Sequence, residues 1–402
     1  MKRKVKVNRE GDKIVQKKQS LFLLLYGLIF LLLLSGCWDS KELKELAIVL
    51  GVGVDQEGDL LHLTAEIAQP DQMTGAGGGG SSGSGSGGES VFVTHSSGAT
   101  LFDAVRNARS QSSRRLFFPN NEVVVLGHDL AQKGFYPAFD FFLRDHEPRA
   151  TSWVLVAEEK ARDIFEPKSK LENTNGTNLS HMIELGLESK IPGINVQEVN
   201  TALLNDTQGF LIPLVTVSGE EEEKRVIMGG NAGVFIKDKM VGEMNSRETR
   251  GVKWVKGEVK NASIAVKLTD ETGFIDSEIF INESSIKIKL DDGDPKVRVK
   301  ISVEGNISDQ SGTVDLSTPE GMQKANAGTA LAVKEEVLAA IKKAKLLQAD
   351  VFGFGGVFER TYPQEWQKIK SSWQEKISIL DVSVEVQANL WRIGEVSRTV
   401  IK

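Results

Sequence analysis

One cysteine and five histidines in 402 residues are too few for several kinds of chemistry. A single thiol forms no internal disulfide framework and no multi-cysteine metal site. The histidines (His62, His95, His128, His146, His181) show no H-E-x-x-H spacing, and His146-Glu147 runs into Pro148, which stops a helix. Turn and surface roles are expected for them, with no metal site. No apolar run reaches the roughly 20 residues that a membrane-spanning helix needs. Positive charge is also scarce in the body. The whole chain carries -6, but residues 1–36 hold eight Lys/Arg and two Asp/Glu, leaving 41 basic against 53 acidic residues, or -12, in the rest. A body of that charge has no general attraction for nucleic acid. Neither a Ser-His-Asp set nor a Gly-x-Ser-x-Gly elbow is legible. Gly51-Val52-Gly53 follows a strand, yet position 56 is Gln where a dinucleotide fingerprint needs glycine. No catalytic, cofactor-binding or metal residue is assigned.

The lone cysteine has a telling position. Lys2 to Lys18 form a basic region, and Leu21 to Leu34 form an apolar stretch of 14 residues interrupted only by Tyr26 and Gly27. This is the profile of a signal peptide, expected over residues 1–36. The junction Leu34-Ser35-Gly36-Cys37 resembles the bacterial lipobox, in which a diacylglycerol joins the cysteine thiol and a peptidase then cuts, here between Gly36 and Cys37. Small residues before the cysteine let the backbone enter the peptidase groove, and only a thiol yields the thioether. Acyl chains contribute about 0.8 kcal/mol per buried CH₂, so two or three of them hold a protein on a bilayer.

The rest of the chain predicts a multidomain α/β and α+β protein with acidic, globular composition. Residues 37–218 read as a layered α/β domain. Ile48 to Val54 form a buried strand, and Leu61, Leu63, Ala65 and Ile67 alternate with His62, Thr64 and Glu66 in its hairpin partner. A flexible loop is expected at 75–88, with nine glycines and four serines. Helix and strand then alternate, with helices over Leu101–Ala108, Leu130–Leu143 and Lys160–Phe165, strands over Glu122–Leu126 and Trp153–Ala157, a mostly helical stretch over Leu171–Asn205, and a return strand at Phe210–Pro213. Residues 219–262 suggest a small middle domain with strands around the turn Lys237-Asp238-Lys239. Residues 263–402 suggest an antiparallel sheet with long helices on one face: two alternating strands joined at Asp291-Asp292-Gly293-Asp294-Pro295, a helix with Val333, Val337, Ala340, Ala344 and Leu347 on one side, a helix through Trp366, Ile369, Trp373 and Ile377, and a final strand Val382–Leu390.

Two features invite a functional reading and admit a plainer one. Arg106, Arg109, Arg114 and Arg115 lie on or just after one predicted helix and could face an acidic partner or lipid headgroups, or form a solvated helix face. The glycines of Phe352-Gly353-Phe354-Gly355-Gly356 could hold a phosphate, but a sharp turn with close packing suits their place between helices better.

Several segments together resemble the Ger(x)C family, the C subunits of spore nutrient germinant receptors. They are Gly36-Cys37-Trp38-Asp39, Glu42-Leu43, Leu46-Ala47-Ile48-Val49, Gly51-Val52-Gly53-Val54-Asp55, Phe141-Phe142-Leu143-Arg144-Asp145, Thr249-Arg250-Gly251, Asp350-Val351-Phe352-Gly353-Phe354-Gly355 and the Trp366/Trp373 helix, in family-like order. The long basic leader and the Gly/Ser run depart from that pattern. The resemblance implies a three-domain, non-catalytic lipoprotein with no cofactor beyond its covalent diacylglycerol. It would sit on the inner membrane of a spore, facing the cortex beside polytopic A and B subunits, and be needed for nutrient-triggered germination. The alternative is a substrate-binding lipoprotein delivering a small molecule to a membrane transporter. An envelope hydrolase ranks third, for want of a nucleophile motif.

Overall fold

The computed structural model describes residues 45–68, 91–167, 172–220, 223–268, 273–311 and 314–391, with 18 and 21–23. The expected loop 75–88 lies outside them. The chain divides into Met1–Leu46 and Ala47–Lys402, and the second unit holds both sheets.

The first sheet takes its strands from β1 (Leu46–Glu57), β2 (Leu60–Ala68) and β3 (Val91–Gly98), then, after α1 (Leu101–Ala108), from β4 (Arg115–Phe117) and β5 (Val123–Leu126). Helices α2 (His128–Lys133) and α3 (Tyr136–Arg144) lead to β6 (Trp153–Ala157). A 3₁₀ turn (Ala161–Phe165), α4 (Asn175–Gly186) and α5 (Val196–Leu203) lead to β7 (Phe210–Ser218), β8 (Arg225–Ile227), β9 (Ala232–Ile236) and β10 (Lys239–Met244). The strand order is β10-β9-β7-β6-β5-β1-β2-β3, with β4 on β1 and β8 on β7. β1, β5, β6 and β7 run parallel, and the wings are antiparallel.

All four β5 residues are buried, as a parallel strand covered on both faces requires. Val124 and Leu126 meet Leu101, Phe139 and Val199 from one helical layer, while Val123 and Val125 meet Phe165, Leu179 and Ile183 from the other. The helix expected over Leu130–Leu143 is broken, because Gly134 adopts φ +121 and the Phe135 N–H donates to the Asp238 carbonyl at 3.1 Å. Lys160–Phe165 forms a 3₁₀ turn rather than an α-helix.

Strands β9 and β10, expected in a middle domain, extend the first sheet: β9 pairs with β7 and β10 with β9. Their two faces serve different cores. Phe235 and Met240 pack with the first domain, whereas Ala232, Val234 and Met244 pack with the second. The segment is therefore a seam between two hydrophobic cores. α6 (Ser246–Lys256) follows, started by an Asn245/Glu248 capping box and ended by Gly257 in the left-handed region.

The second sheet has the order β11 (Ala262–Lys267), β12 (Phe274–Asp291), β13 (Asp294–Gln310) and β14 (Asp381–Leu390). Asp292 and Gly293, at φ 51 and 89, form the two-residue turn of the long β12–β13 hairpin. Val297, Val299, Ile301 and Val303 point to the helical layer. That layer is α7 (Pro319–Leu346), α8 (Phe354–Thr361), α9 (Pro363–Ile369) and α10 (Trp373–Ile379). α7 buries Val333, Val337, Ala340 and Ala344, as its spacing predicts. The helix expected through Trp366 and Ile377 is split by a 3₁₀ turn at Lys370–Ser372. One pairing departs from an all-antiparallel sheet: β14 joins β13 in parallel, because α7 to α10 carry the chain across the sheet face before it returns.

Candidate functional site

The predicted cleavage and lipidation positions, Gly36 and Cys37, lie outside the described residues. Within the described body, five buried charged side chains stand out, and each is engaged inside the fold.

Asp55, near the end of β1, accepts the Ala161 N–H at 2.8 Å and the Arg162 N–H at 3.0 Å. Burial pushes its carboxyl up, and the two amides oppose that rise. Glu66 faces Gly51 across the β1–β2 pair and is 1 % exposed. Its carboxylate accepts the Asn175 N–H at 2.7 Å and the Gly176 N–H at 2.6 Å, in the first turn of α4, where the helix dipole favours an anion. Burial nevertheless raises its pKa to about 7.

In the second core, Glu336 on α7 accepts Arg250 Nε at 2.8 Å, a second Arg250 nitrogen, and Trp254 Nε1 at 2.8 Å. Arg250 and Trp254 stand four apart on α6 and so reach one carboxylate. Between them, a Cβ on Gly251 would strike the Glu336 carbonyl and lie 2.7 Å from Ala340 Cβ, so the two helix backbones touch there. Asp350 is also buried. It accepts the N–H groups of Gly353 at 2.9 Å, Phe354 at 3.0 Å and Gly355 at 2.6 Å, and Trp373 Nε1 at 3.0 Å. Burial holds its carboxyl above the usual range. A Cβ on Gly355 would sit 2.8 Å from Trp373 Nε1 and 2.9 Å from the Trp366 ring. The Phe352–Gly356 segment is thus a packed knot around a carboxylate.

Lys253 completes the set. It is 2 % exposed, donates to the Ile191 carbonyl at 2.8 Å and to the Leu187 carbonyl, and so fastens α6 to the segment after α4. Burial lowers its pKa to about 8. All five groups hold elements together, and the donors and acceptors around them belong to the fold itself.

The four arginines separate. Arg106 lies on α1 with its guanidinium 4.9 Å from the Phe102 ring centroid. Phe102 is 48 % exposed, while Leu101, Ala104 and Ala108 are the buried residues of α1. Arg109 caps the end of α1 and is exposed. Arg114 lines an open groove of about 290 Å³ with Ala47, Ile67, Ala68 and Phe92. Arg115 is ion-paired with Glu147. Among the described residues no group of three His, Cys, Asp or Glu is placed to hold a metal.

Sequence reasoning passed over Glu66, Lys253, Trp254 and Glu336. A signal existed for α6, since Asn245-x-x-Glu248 and Gly257 bracket a helix, and on that helix Arg250 and Trp254 share a face. Nothing comparable marks Glu66, which alternates like a solvent-facing strand residue.

These ties define an internally fastened α/β body built on two sheets. Residues 39–217 match the family model described as spore germination protein N-terminal domain, and residues 230–394 match the spore germination B3/GerAC-like C-terminal model. Spore germination protein KC of Bacillus subtilis (strain 168) is 26% identical over 390 residues, with 91% of this chain and 94% of that protein covered. Spore germination protein A3 of the same organism is 27% identical over 354 residues, covering 86% and 90%. The crystal structure of the GerBC protein shares the fold, with a TM-score of 0.55 at 16% identity over 88% of this chain and 99% of that one. The chain belongs to the Ger(x)C family of spore germination proteins. Among the described residues, no helix is long and apolar enough to cross a membrane.

Proposed function

We propose that this chain is the lipid-anchored, non-catalytic C subunit of a spore nutrient germinant receptor. It works beside the A and B membrane subunits, on the inner spore membrane with its body toward the cortex. The observation that carries this reading is the succession of two spore germination family models over residues 39–217 and 230–394, beginning two residues after Cys37. A diacylglycerol on Cys37 keeps the body at the membrane and raises its effective concentration for the partner subunits without a large intrinsic affinity. The buried ties support a structural role, since they hold the body in one shape against which partners can register. The substrate-delivery alternative calls for two similar lobes around a cleft, whereas the two sheets here differ in topology, and β9 and β10 face a separate core on each side.

The test is a Cys37→Ala strain beside a deletion strain. Purified spores are scored for germination with separate nutrients, and the protein is characterised by intact mass. Cys37→Ala is expected to leave an unprocessed, unlipidated chain and to slow germination with the same nutrients as the deletion. Normal germination by spores carrying only unprocessed protein would overturn the role of the anchor. An unchanged response of the deletion strain to every nutrient, in a background without related receptors, would overturn the receptor reading.

A further inference from the structure

The long hairpin of the second sheet meets different neighbours on its two edges. β14 covers β13 from Lys296 to Gly305, whereas β11 pairs with β12 only from Phe274 to Ile279. Beyond Ile279 the outer edge of β12 passes the end of α6: a Cβ on Gly257 would lie 3.6 Å from the Asn282 carbonyl oxygen and 3.9 Å from the Ser284 nitrogen. Past Ser284 no strand among the described residues pairs with that edge.

The register fixes which backbone groups the edge offers. Asp291 and Asp294 close the two-residue turn as a hydrogen-bonded pair, and from there bonded and non-bonded pairs alternate along the hairpin. Ser285, Lys287 and Lys289 bond to β13. Ile286, Ile288 and Leu290 therefore turn their N–H and C=O groups outward, and among the described residues nothing bonds to them. Such a row is a template for another strand.

Charge separates the two edges in the same way. On the face away from the helices, Lys296, Arg298 and Lys300 of β13 are exposed and paired: Lys296 with Asp291 at 2.5 Å, Arg298 and Lys300 with Glu385 of β14 at 3.6 and 3.0 Å. Lys287 and Lys289 of β12 share that face, stand directly across from Arg298 and Lys296, and have no ion-pair partner among the described residues. Like charges opposed in register are destabilising. Asp291 is already engaged by Lys296, and Glu283 stands about 13 Å along the strand from Lys287.

β14 shows which kind of strand this hairpin accepts. Asp381 and Glu385 lie beside Lys296 and Lys300 on the basic face, while Val382, Val384 and Val386 pack with the helical layer. We propose that the β12 edge from Ile286 to Leu290 receives an extended segment of a partner protein as an added strand, with acidic side chains beside Lys287 and Lys289 and apolar ones beside Ile286, Ile288 and Leu290. A second copy of this chain is a poor occupant, because antiparallel pairing of two such edges sets lysines against lysines. The lysines thus exclude self-pairing and admit an acidic strand. The inference goes beyond the receptor reading and does not depend on the lipid anchor.

The test uses the full-length, processed chain and, as probe, a synthetic peptide with the ten-residue sequence of β14, Asp381–Leu390. Amide hydrogen exchange is read residue by residue. In the free chain the Ile286, Ile288 and Leu290 amides are expected to exchange faster than those of Ser285, Lys287 and Lys289, and the peptide should slow them. The same peptide carrying Asp381→Lys and Glu385→Lys should not. Lys287→Glu with Lys289→Glu in the protein should weaken peptide binding about tenfold while leaving the unfolding midpoint unchanged or higher, since it relieves the opposed cations. That combination separates docking from a structural role. Outward amides already slow in the free chain, slowing that grows with the concentration of the chain alone, absence of slowing by the peptide, or equal binding of both peptides would overturn the inference. In spores the double variant should germinate more slowly than wild type. A wild-type rate would overturn the docking role, and the deletion strain reads the receptor assignment separately.

Discussion

The two sheets with their helices use buried charge differently. In the first, Asp55 and Glu66 accept only backbone N–H groups, from the 3₁₀ turn and from the first turn of α4. In the second, Glu336 accepts Trp254 Nε1 together with the Arg250 guanidinium, and Asp350 accepts Trp373 Nε1 together with three backbone N–H groups. The difference follows from what must be held. A sheet covered on both faces needs its connecting segments pinned over the strands, and carboxylate-to-backbone bonds do that without large side chains. A helical layer lying on one face of a sheet has to be locked helix to helix, and a tryptophan both fills the space between helices and delivers a donor.

If the second core depends on such locks, breaking one should cost most. Asp350→Ala removes the acceptor of four N–H donors, three of them buried, and the expected loss is about 3–5 kcal/mol in denaturant unfolding. A loss under about 1 kcal/mol would mean that the knot around Phe354 and Trp373 holds by packing alone.

A sharper contrast comes from pH. Glu66 titrates near 7 in the fold against 4.5 in the open chain, so the folded state keeps a proton that the unfolded chain releases. Stability is therefore expected to fall as pH rises from 4.5 to about 7, by up to about 3 kcal/mol from this group, and Glu66→Gln should flatten that share. Lys253 acts with the opposite sign. Its folded pKa of about 8 lies below 10.5, so stability should rise with pH through that window, and Lys253→Met should abolish the rise. Parallel pH profiles for wild type and both variants would remove the distinction. The smallest effect expected is at the α6–α7 crossing, where Gly251→Ala forces the helices apart at a cost of about 1–3 kcal/mol, read as a lowered unfolding midpoint.

How much of this was legible depended on the range of the signal. The β12–β13 hairpin was readable because alternation and the Asp292-Gly293 turn are local, and α7 because its buried residues recur at helical spacing. Breaks were harder. Gly134 interrupts a helix by a contact with Asp238, more than a hundred residues away, and the Trp366–Ile377 helix splits although its apolar spacing runs through. The glycines of the family-like segments could be suspected of close packing, but not what they pack against: Gly251 meets α7, and Gly355 meets two tryptophans. Glu66 was the least legible. An alternating strand predicts one wet face, and only the 3₁₀ turn and α4, arriving from far along the chain, make that face dry.

Sequence alone determined the acidic body, the layered α/β beginning, the hairpin and long helix of the second core, and the likeness to spore germination C subunits, because composition, periodicity and short motifs are written in neighbouring residues. Tertiary structure decided that β9 and β10 extend the first sheet and face both cores, that β14 returns parallel, and that five buried charges are fasteners. Each of those outcomes turns on which distant surfaces meet, and a linear pattern carries no record of that meeting.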